Sequence, residues 1–500
     1  MPRSSSDPPN STPIQDTQHR PQSPHGFLPI DPPSGRDMPT YSARPSTESS
    51  RADHLDDLEK SLPIHTIPSL RLQLWHSIRH GRRVIGEPPD ILPDESHHHN
   101  SPPHNSPHNN TKDDDDTNTT NNDTPQKLSL RTRLRHFTWA WYTLTMSTGG
   151  LALLIRAQPH TFPGLHQIGL AIFLLNILLF LLVTAALITR FCLYRGTFLT
   201  SMTHPREGFF FPTFFLSLAT IITCTQRYGV PSDPESALKS TRPLLNTIQA
   251  AFWIYVVLST AVAIGQYSLI FSSTHKFALH TMMPTWILPI FPIMLSGTIA
   301  AVIADTQPVD SGVRIVSAGW TCQGLGVAVA FMMYAHMVGR LMQSGLPDRE
   351  HTPGLFMCVG PPAFTALAFI GLAKGLPEEV DHDLDGVGDA AMVETVGVVG
   401  AGFLWALSLW WFGIALLAVV RRPPRFFHLG WWAAVFPNTG FTLATISLGT
   451  AYRSEGVLWF ATGMSLLVLG VYLFVLVHHV RAVVVGEIMY PGRDEDIEEH

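Results

Sequence analysis

The residues of this chain best equipped to bind a solute are hydroxyls and amides set in apolar surroundings. Thr143, Ser147, Thr148, Thr213, Ser296, Thr298, Thr365, Asn438, Thr439 and Thr442 all fall inside runs with almost no charge. The deep parts of those runs hold neither a carboxylate series of the proton-relay kind nor an arginine ladder of the voltage-sensor kind. Charged groups stand at the run ends: Arg156, Arg227, Arg340 and Glu394. Donors without carboxylates suit a negatively charged solute better than a cation, and helix breaks add backbone N–H dipoles that attract anions. Hydroxyls also accept, and Ser and Thr can simply bridge helices. There is no phosphate-binding glycine loop, no His-Glu-x-x-His and no spaced catalytic set, so the chain does not read as an enzyme and implies no cofactor.

The elements that must position these groups are long apolar segments. The apolar content, 45% of 500 residues, is concentrated beyond residue 135 in runs of about 20 residues, the signature of membrane-crossing helices. Ten spans are expected, near 137–155, 165–190, 208–227, 244–271, 283–304, 313–340, 354–373, 391–420, 427–451 and 455–480. This gives an all-α polytopic membrane protein with a ten-helix domain over 131–482. An even number of spans puts both termini on one side. With that side inside, inner loops between Arg131 and Arg481 hold thirteen Lys or Arg against seven in outer loops, which points to cytoplasmic termini. The Asn-x-Ser/Thr triplets at Asn10, Asn109, Asn118 and Asn122 then never meet a glycosylating compartment.

Residues 1–130 read as a disordered cytoplasmic tail and 483–500 as a short cytoplasmic one. Within the first, Leu70, Leu74, Trp75 and Ile78 recur beside Arg71, Arg79, Arg82 and Arg83, so 69–86 can form a basic amphipathic helix or a transient partner-binding one. His97, His98, His99, His104 and His108 read as low-complexity sequence without fixed metal geometry. The loop from Glu378 to Met392 opens like a calcium loop at Asp381, Asp383 and Asp385, but Met392 stands where the bidentate Glu is required, so it reads as an acidic linker. No metal site is implied.

Proline is distributed by parity. The third span carries Pro212, the fifth Pro284, Pro289 and Pro292, the seventh Pro361 and Pro362, the ninth Pro437, and the even spans none in their interiors. Pro212, Pro292, Pro361 and Pro437 are 80, 69 and 76 residues apart, a repeat of one helix pair with the breaker in its first member. Gly149 and Gly150 take the breaker's place in the first span. A carbonyl freed by proline is costly against lipid and tolerable inside protein or along a wet cavity. Five broken helices alternating with five unbroken ones therefore place the odd spans in an inner ring around a pore.

The stretches HFTWAWYTLTMSTGGLALLIRAQPHTFPGLHQIG, PGLFMCVGPPAFTALAFIGLAKG and WWAAVFPNTGFTLATISLG resemble the fungal malic acid transport proteins, members of the tellurite-resistance/dicarboxylate transporter family that also includes plant slow anion channels and sulfite pumps. The resemblance covers about residues 131–480. It implies five helical hairpins in pseudo-fivefold arrangement around a central pore, odd helices inside, and a homotrimer. It also implies a phenylalanine gate on the ninth helix, which the WWxxxFP register places at Phe436. Thr143, Ser147, Thr148, Thr213, Thr365, Asn438 and Thr439 are the expected pore-lining contacts, with Arg156 and Arg340 drawing anions to the mouths.

Two departures bear on the solute. Thr352 stands where dicarboxylate members carry an arginine before Pro-Gly, with Arg349 a candidate substitute. Thr138-Trp139-Ala140-Trp141-Tyr142 replaces the Pro-Ser-Trp-Phe opening of the sulfite pumps. The expected function is transport of malate and related C4 dicarboxylates at the plasma membrane, with the protonated monoanion a way to couple protons. Efflux of sulfite or another small anion is the alternative. The partners implied are small anions and the lipid bilayer, not nucleic acid.

Overall fold

The computed structural model describes residues 128–231, 233–273, 277–377 and 388–490. The helix expected at 69–86, the histidine-rich segment, the glycosylation triplets and most of the acidic loop lie outside the described residues. So does the chain's end beyond residue 490.

Among the described residues the chain is helical, with no strand. Its longer helices are α1 (Tyr142–Arg156), α2 (Leu165–Leu193), α3 (Pro212–Gly229), α4 (Arg242–Ser272), α5 (Phe291–Ile303), α6 (Val309–Ser344), α7 (Gly360–Lys374), α8 (Ala390–Arg421), α9 (Phe436–Ala451) and α10 (Glu455–Val485). Eight helical segments are long and apolar enough to cross a membrane, counting the 3-10 turns that lead into α3, α5 and α7. α1 and α9, of 15 and 16 residues, are shorter than the roughly 20 residues a span needs.

Packing sorts the helices by parity. α1 packs on α3, α3 on α5, α5 on α7, α7 on α9, and α9 back on α1, which closes a ring. Each even helix lies in an outer groove between consecutive odd ones. The apolar windows of the α3, α5 and α7 segments are 72–89% buried, against 22–39% for the even helices. The even helices are apolar all round and leave Leu181, Val257, Phe403 and Leu466 more than half exposed, as lipid-facing helices do.

The prolines do not kink the odd helices. A 3-10 segment leads into each: Trp139–Trp141, Glu207–Phe210, Pro284–Ile290, Arg349–Val359 and Leu429–Ala434. Pro212, Pro292, Pro361 and Pro437 occupy the first turn of the α-helix that follows. In a first turn the missing N–H has no intrahelical acceptor to lose, so proline starts the helix rather than breaking it. Two carbonyls four residues upstream of a proline receive donors from the outer ring, Gly208 O in addition to the Phe211 N–H at 3.2 Å. Gln266 Nε2 of α4 donates to Gly208 O at 2.5 Å, and the Tyr334 hydroxyl of α6 donates to Cys358 O at 2.7 Å.

Gly149 and Gly150 were expected to break the first span, but α1 runs unbroken through both. They serve close packing. A Cβ on Gly149 would stand 2.2 Å from Thr220 Oγ1, and one on Gly150 3.2 Å from the Phe436 ring.

One buried ion pair fixes the junction below the ring. Arg190, at the end of α2, forks onto Glu207 at 2.5 and 3.1 Å and also donates to Phe137 O at 2.6 Å. Both side chains are buried. The pair joins α2 to the segments that enter α1 and α3.

Candidate functional site

The odd helices enclose two cavities and a constriction between them. At their N-terminal ends lies a cavity of about 440 Å³, lined by the leads into α3, α5, α7 and α9. Arg206 and Arg340 give it positive charge, with Asp348 the acidic member, and His280, His351 and His428 add imidazoles to the wall. The N-terminal ends of these helices add the positive end of each helix dipole. At the C-terminal ends of α3, α5, α7 and α9 lies a second cavity of about 250 Å³, which holds Arg227, Lys374 and Asp305.

Between them all five odd helices converge on a space of about 20 Å³, the room of roughly one water. Its wall includes Gly150 and Leu153 of α1, Thr220 and Thr223 of α3, Leu295 and Thr298 of α5, Phe364 of α7, and Phe436 and Thr439 of α9. The Phe436 and Phe364 rings stack there, centroids 5.0 Å apart and planes 28° apart. Glycines make room for both rings. Gly150 backs Phe436, and a Cβ on Gly440 would fall 2.6–2.9 Å from three Phe364 ring carbons. The space left at this point is too small for a carboxylate.

The other expected contacts divide between axis and periphery. Thr439 lines the constriction, with its hydroxyl bonded to Val435 O at 3.1 Å. Thr143 bonds Ala140 O at 2.6 Å, and Thr213 bonds Phe210 O and Trp139 O. Thr148 meets the Tyr472 hydroxyl of α10 at 3.0 Å, and Thr365 accepts from Gln323 Nε2 of α6 at 2.8 Å, so both lie against outer helices. Ser147 is fully buried and its hydroxyl has no protein partner. Asn438 lines an apolar lateral groove between α8 and α10 and donates to Ala434 O at 2.7 Å. Arg340 reaches the N-terminal cavity, while Arg156 donates to Arg227 O at 3.2 Å beside the opposite mouth. Arg349 is tied to the Pro423 carbonyl and is not in the wall of that cavity.

Sequence reading missed Phe364, Thr220, Thr223 and Lys374. For Phe364 alone the signal was available in the register of the last three marker prolines. Leu295, Phe364 and Gly440 each follow their marker proline by three positions, and Thr298, Leu367 and Leu443 by six. Every one of these lines an axial space or supports a ring that does.

Residues 136–480 match the family described as voltage-dependent anion channel (SLAC1). A malic acid transport protein of Schizosaccharomyces pombe is 34% identical over 73% of this chain and 83% of its own length. A putative malic acid transport protein of the same organism is 31% identical over 74% and 85%. A sulfite efflux pump of Trichophyton rubrum is 29% identical over 64% and 84%.

Proposed function

Because this chain belongs to the voltage-dependent anion channel family, we propose that its axis conducts malate and related C4 dicarboxylates across the plasma membrane. Anion transport across a membrane goes with the family. The choice of malate leans on the two malic acid transport relatives, each above 30% identity. One observation supports the route: two charged cavities lie on opposite sides of a constriction that all five odd helices line, with the stacked Phe436 and Phe364 rings in its wall.

In this reading α1–α10 form five hairpins around the axis. α1 and α9 cross together with their 3-10 leads, and the even helices face lipid. The excess of basic residues in alternate loops puts both termini in the cytoplasm. The 440 Å³ cavity then opens inward and Arg340 gathers anions at its mouth, while Arg156 stands at the outer one. Phe436 is the gate, with Phe364 as its seat. An aromatic ring closes a narrow apolar throat and opens it by rotation. Malate crosses with one carboxyl protonated, so the solute itself carries the proton. The assembly is a homotrimer with one pathway per protomer.

Uptake of labelled malate into cells stripped of their own carriers, measured from acid to neutral pH, tests the proposal. Absence of malate flux at every pH refutes it. The sulfite pump relative supports a second reading, efflux of sulfite. Sulfite tolerance without malate flux decides for that one.

A further inference from the structure

We propose that the 250 Å³ cavity beyond the constriction is a recognition subsite that spans a whole four-carbon diacid, with Thr298 binding its inner end and Arg227 and Lys374 its outer carboxylate. The proposal rests on reading the axis as a dicarboxylate pathway.

Thr298 is the observation that sets this cavity apart. Four hydroxyls border the constriction, and three donate to carbonyls of their own helix: Thr220 to Ser217 O, Thr223 to Ala219 O and Thr439 to Val435 O. The Thr298 hydroxyl is buried, with the residue 8% exposed, and has no protein partner. It lines both the constriction and the cavity beyond it. A buried hydroxyl left without a partner is costly, and an anion that accepts from it removes that cost.

The rest of the cavity follows from helical spacing. Thr298, Ala301, Val302 and Asp305 form one face of the α5 segment, and Leu367, Ile370, Gly371 and Lys374 form one face of α7. Thr298 is therefore at the inner end, with Asp305, Lys374 and Arg227 at the mouth. Seven residues of helix separate Thr298 from the level of Asp305, about 10 Å. Two hydrogen bonds of about 2.8 Å leave roughly 5 Å between the outermost oxygens of a bridging anion. That is the scale of a four-carbon diacid and exceeds a single carboxylate or sulfite.

Two cations against one carboxylate leave the mouth net positive. Basic residues in a last helical turn also complement the negative end of the helix, which accounts for Arg227 and Lys374 as charges. It does not account for the free donor of Thr298 at the other end of the same cavity.

The test compares wild type, Thr298→Val, Thr298→Ser and Arg227→Gln in carrier-null cells, with rates normalised to surface protein. Malate KM and maximal rate are measured, together with inhibition by acetate and sulfite. Thr298→Val removes the donor at nearly constant volume, so KM for malate rises about tenfold while the maximal rate changes less. Thr298→Ser keeps KM within about twofold, because its hydroxyl remains. Preference for malate over acetate falls in Thr298→Val, and the KM defect of Arg227→Gln shrinks at high salt. A wild-type KM in Thr298→Val, or equal damage from Val and Ser, overturns the subsite. If wild type carries another anion and no malate, the substrate reading fails, and the Val/Ser comparison on that anion still decides whether Thr298 binds it.

Discussion

Truncating Phe436 to Ala should convert the closed axis into a leak. The side chain is buried, stacked on Phe364 at 5.0 Å and backed by Gly150. Two effects separate in magnitude. Losing a buried phenylalanine costs about 3–5 kcal/mol of stability, so less protein reaches the surface. The same truncation removes a ring that narrows the throat to about 20 Å³, so each surviving molecule should conduct more. Flux per surface molecule is the informative quantity.

Phe364→Ala provides the calibration, because Phe436 stays in place and only its partner is lost. An aromatic pair is worth about 0.5–1.5 kcal/mol beyond the area it buries. If that difference holds the gate shut, its loss shifts the closed-to-open ratio by about two- to twelvefold. Anion current or labelled-malate uptake, divided by surface-labelled protein, should therefore rank Phe436→Ala above Phe364→Ala and both above wild type. Wild-type flux per molecule in Phe436→Ala refutes the plug. A rise in Phe436→Ala with none in Phe364→Ala keeps the plug and refutes the stack as its latch.

Gly440→Ala places a methyl within 3 Å of three Phe364 ring carbons, so it should cost about 1–3 kcal/mol and lower the unfolding temperature of purified protein. Arg190→Ala should cost about 3–5 kcal/mol by leaving Glu207 charged and buried, and it should sharply reduce folded yield. The double variant Arg190→Ala/Glu207→Ala recovers part of that yield if the unpaired charge is the cause. Arg340→Gln should lower malate flux at low ionic strength and much less in high salt, since a mouth charge acts through a screened field. Tyr334→Phe leaves Cys358 O without its donor, so it should cost about 1–3 kcal/mol, read as a lower unfolding temperature.

How far the sequence carried is clearest at the prolines. Their parity correctly separated the buried helices from the exposed ones, and Gln266 and Tyr334 of the outer ring donate to the carbonyls four residues before Pro212 and Pro362. The same prolines misled about local shape. A proline in an apolar run reads as a kink, whereas here Pro212, Pro292, Pro361 and Pro437 follow 3-10 segments, and Pro284 and Pro289 lie within one, which periodicity cannot distinguish from α-helix over so few turns. Helix membership did not settle which way a hydroxyl points. Thr148 and Thr365 are on inner helices yet face Tyr472 and Gln323 on outer ones. Phe364 was hidden as a partner of Phe436 because stacking joins residues 72 positions apart, and superposing the repeats on their prolines sets Phe364 level with Gly440, about one helical turn beyond Phe436.

The state of the axial hydroxyls bears on the form of malate proposed to cross. A threonine that donates its proton to its own helix offers the solute a lone pair. Thr220, Thr223 and Thr439 are all in that state at the constriction, so the throat is richer in acceptors than the residue types alone imply. A doubly charged anion gains little from acceptors. A monoanion brings one carboxylate and one O–H, and its O–H can donate to those lone pairs while its carboxylate is held by Thr298 or the cations at either mouth. These lone pairs are what supports the proposal that the protonated form crosses, with no acidic residue needed at the narrowest point.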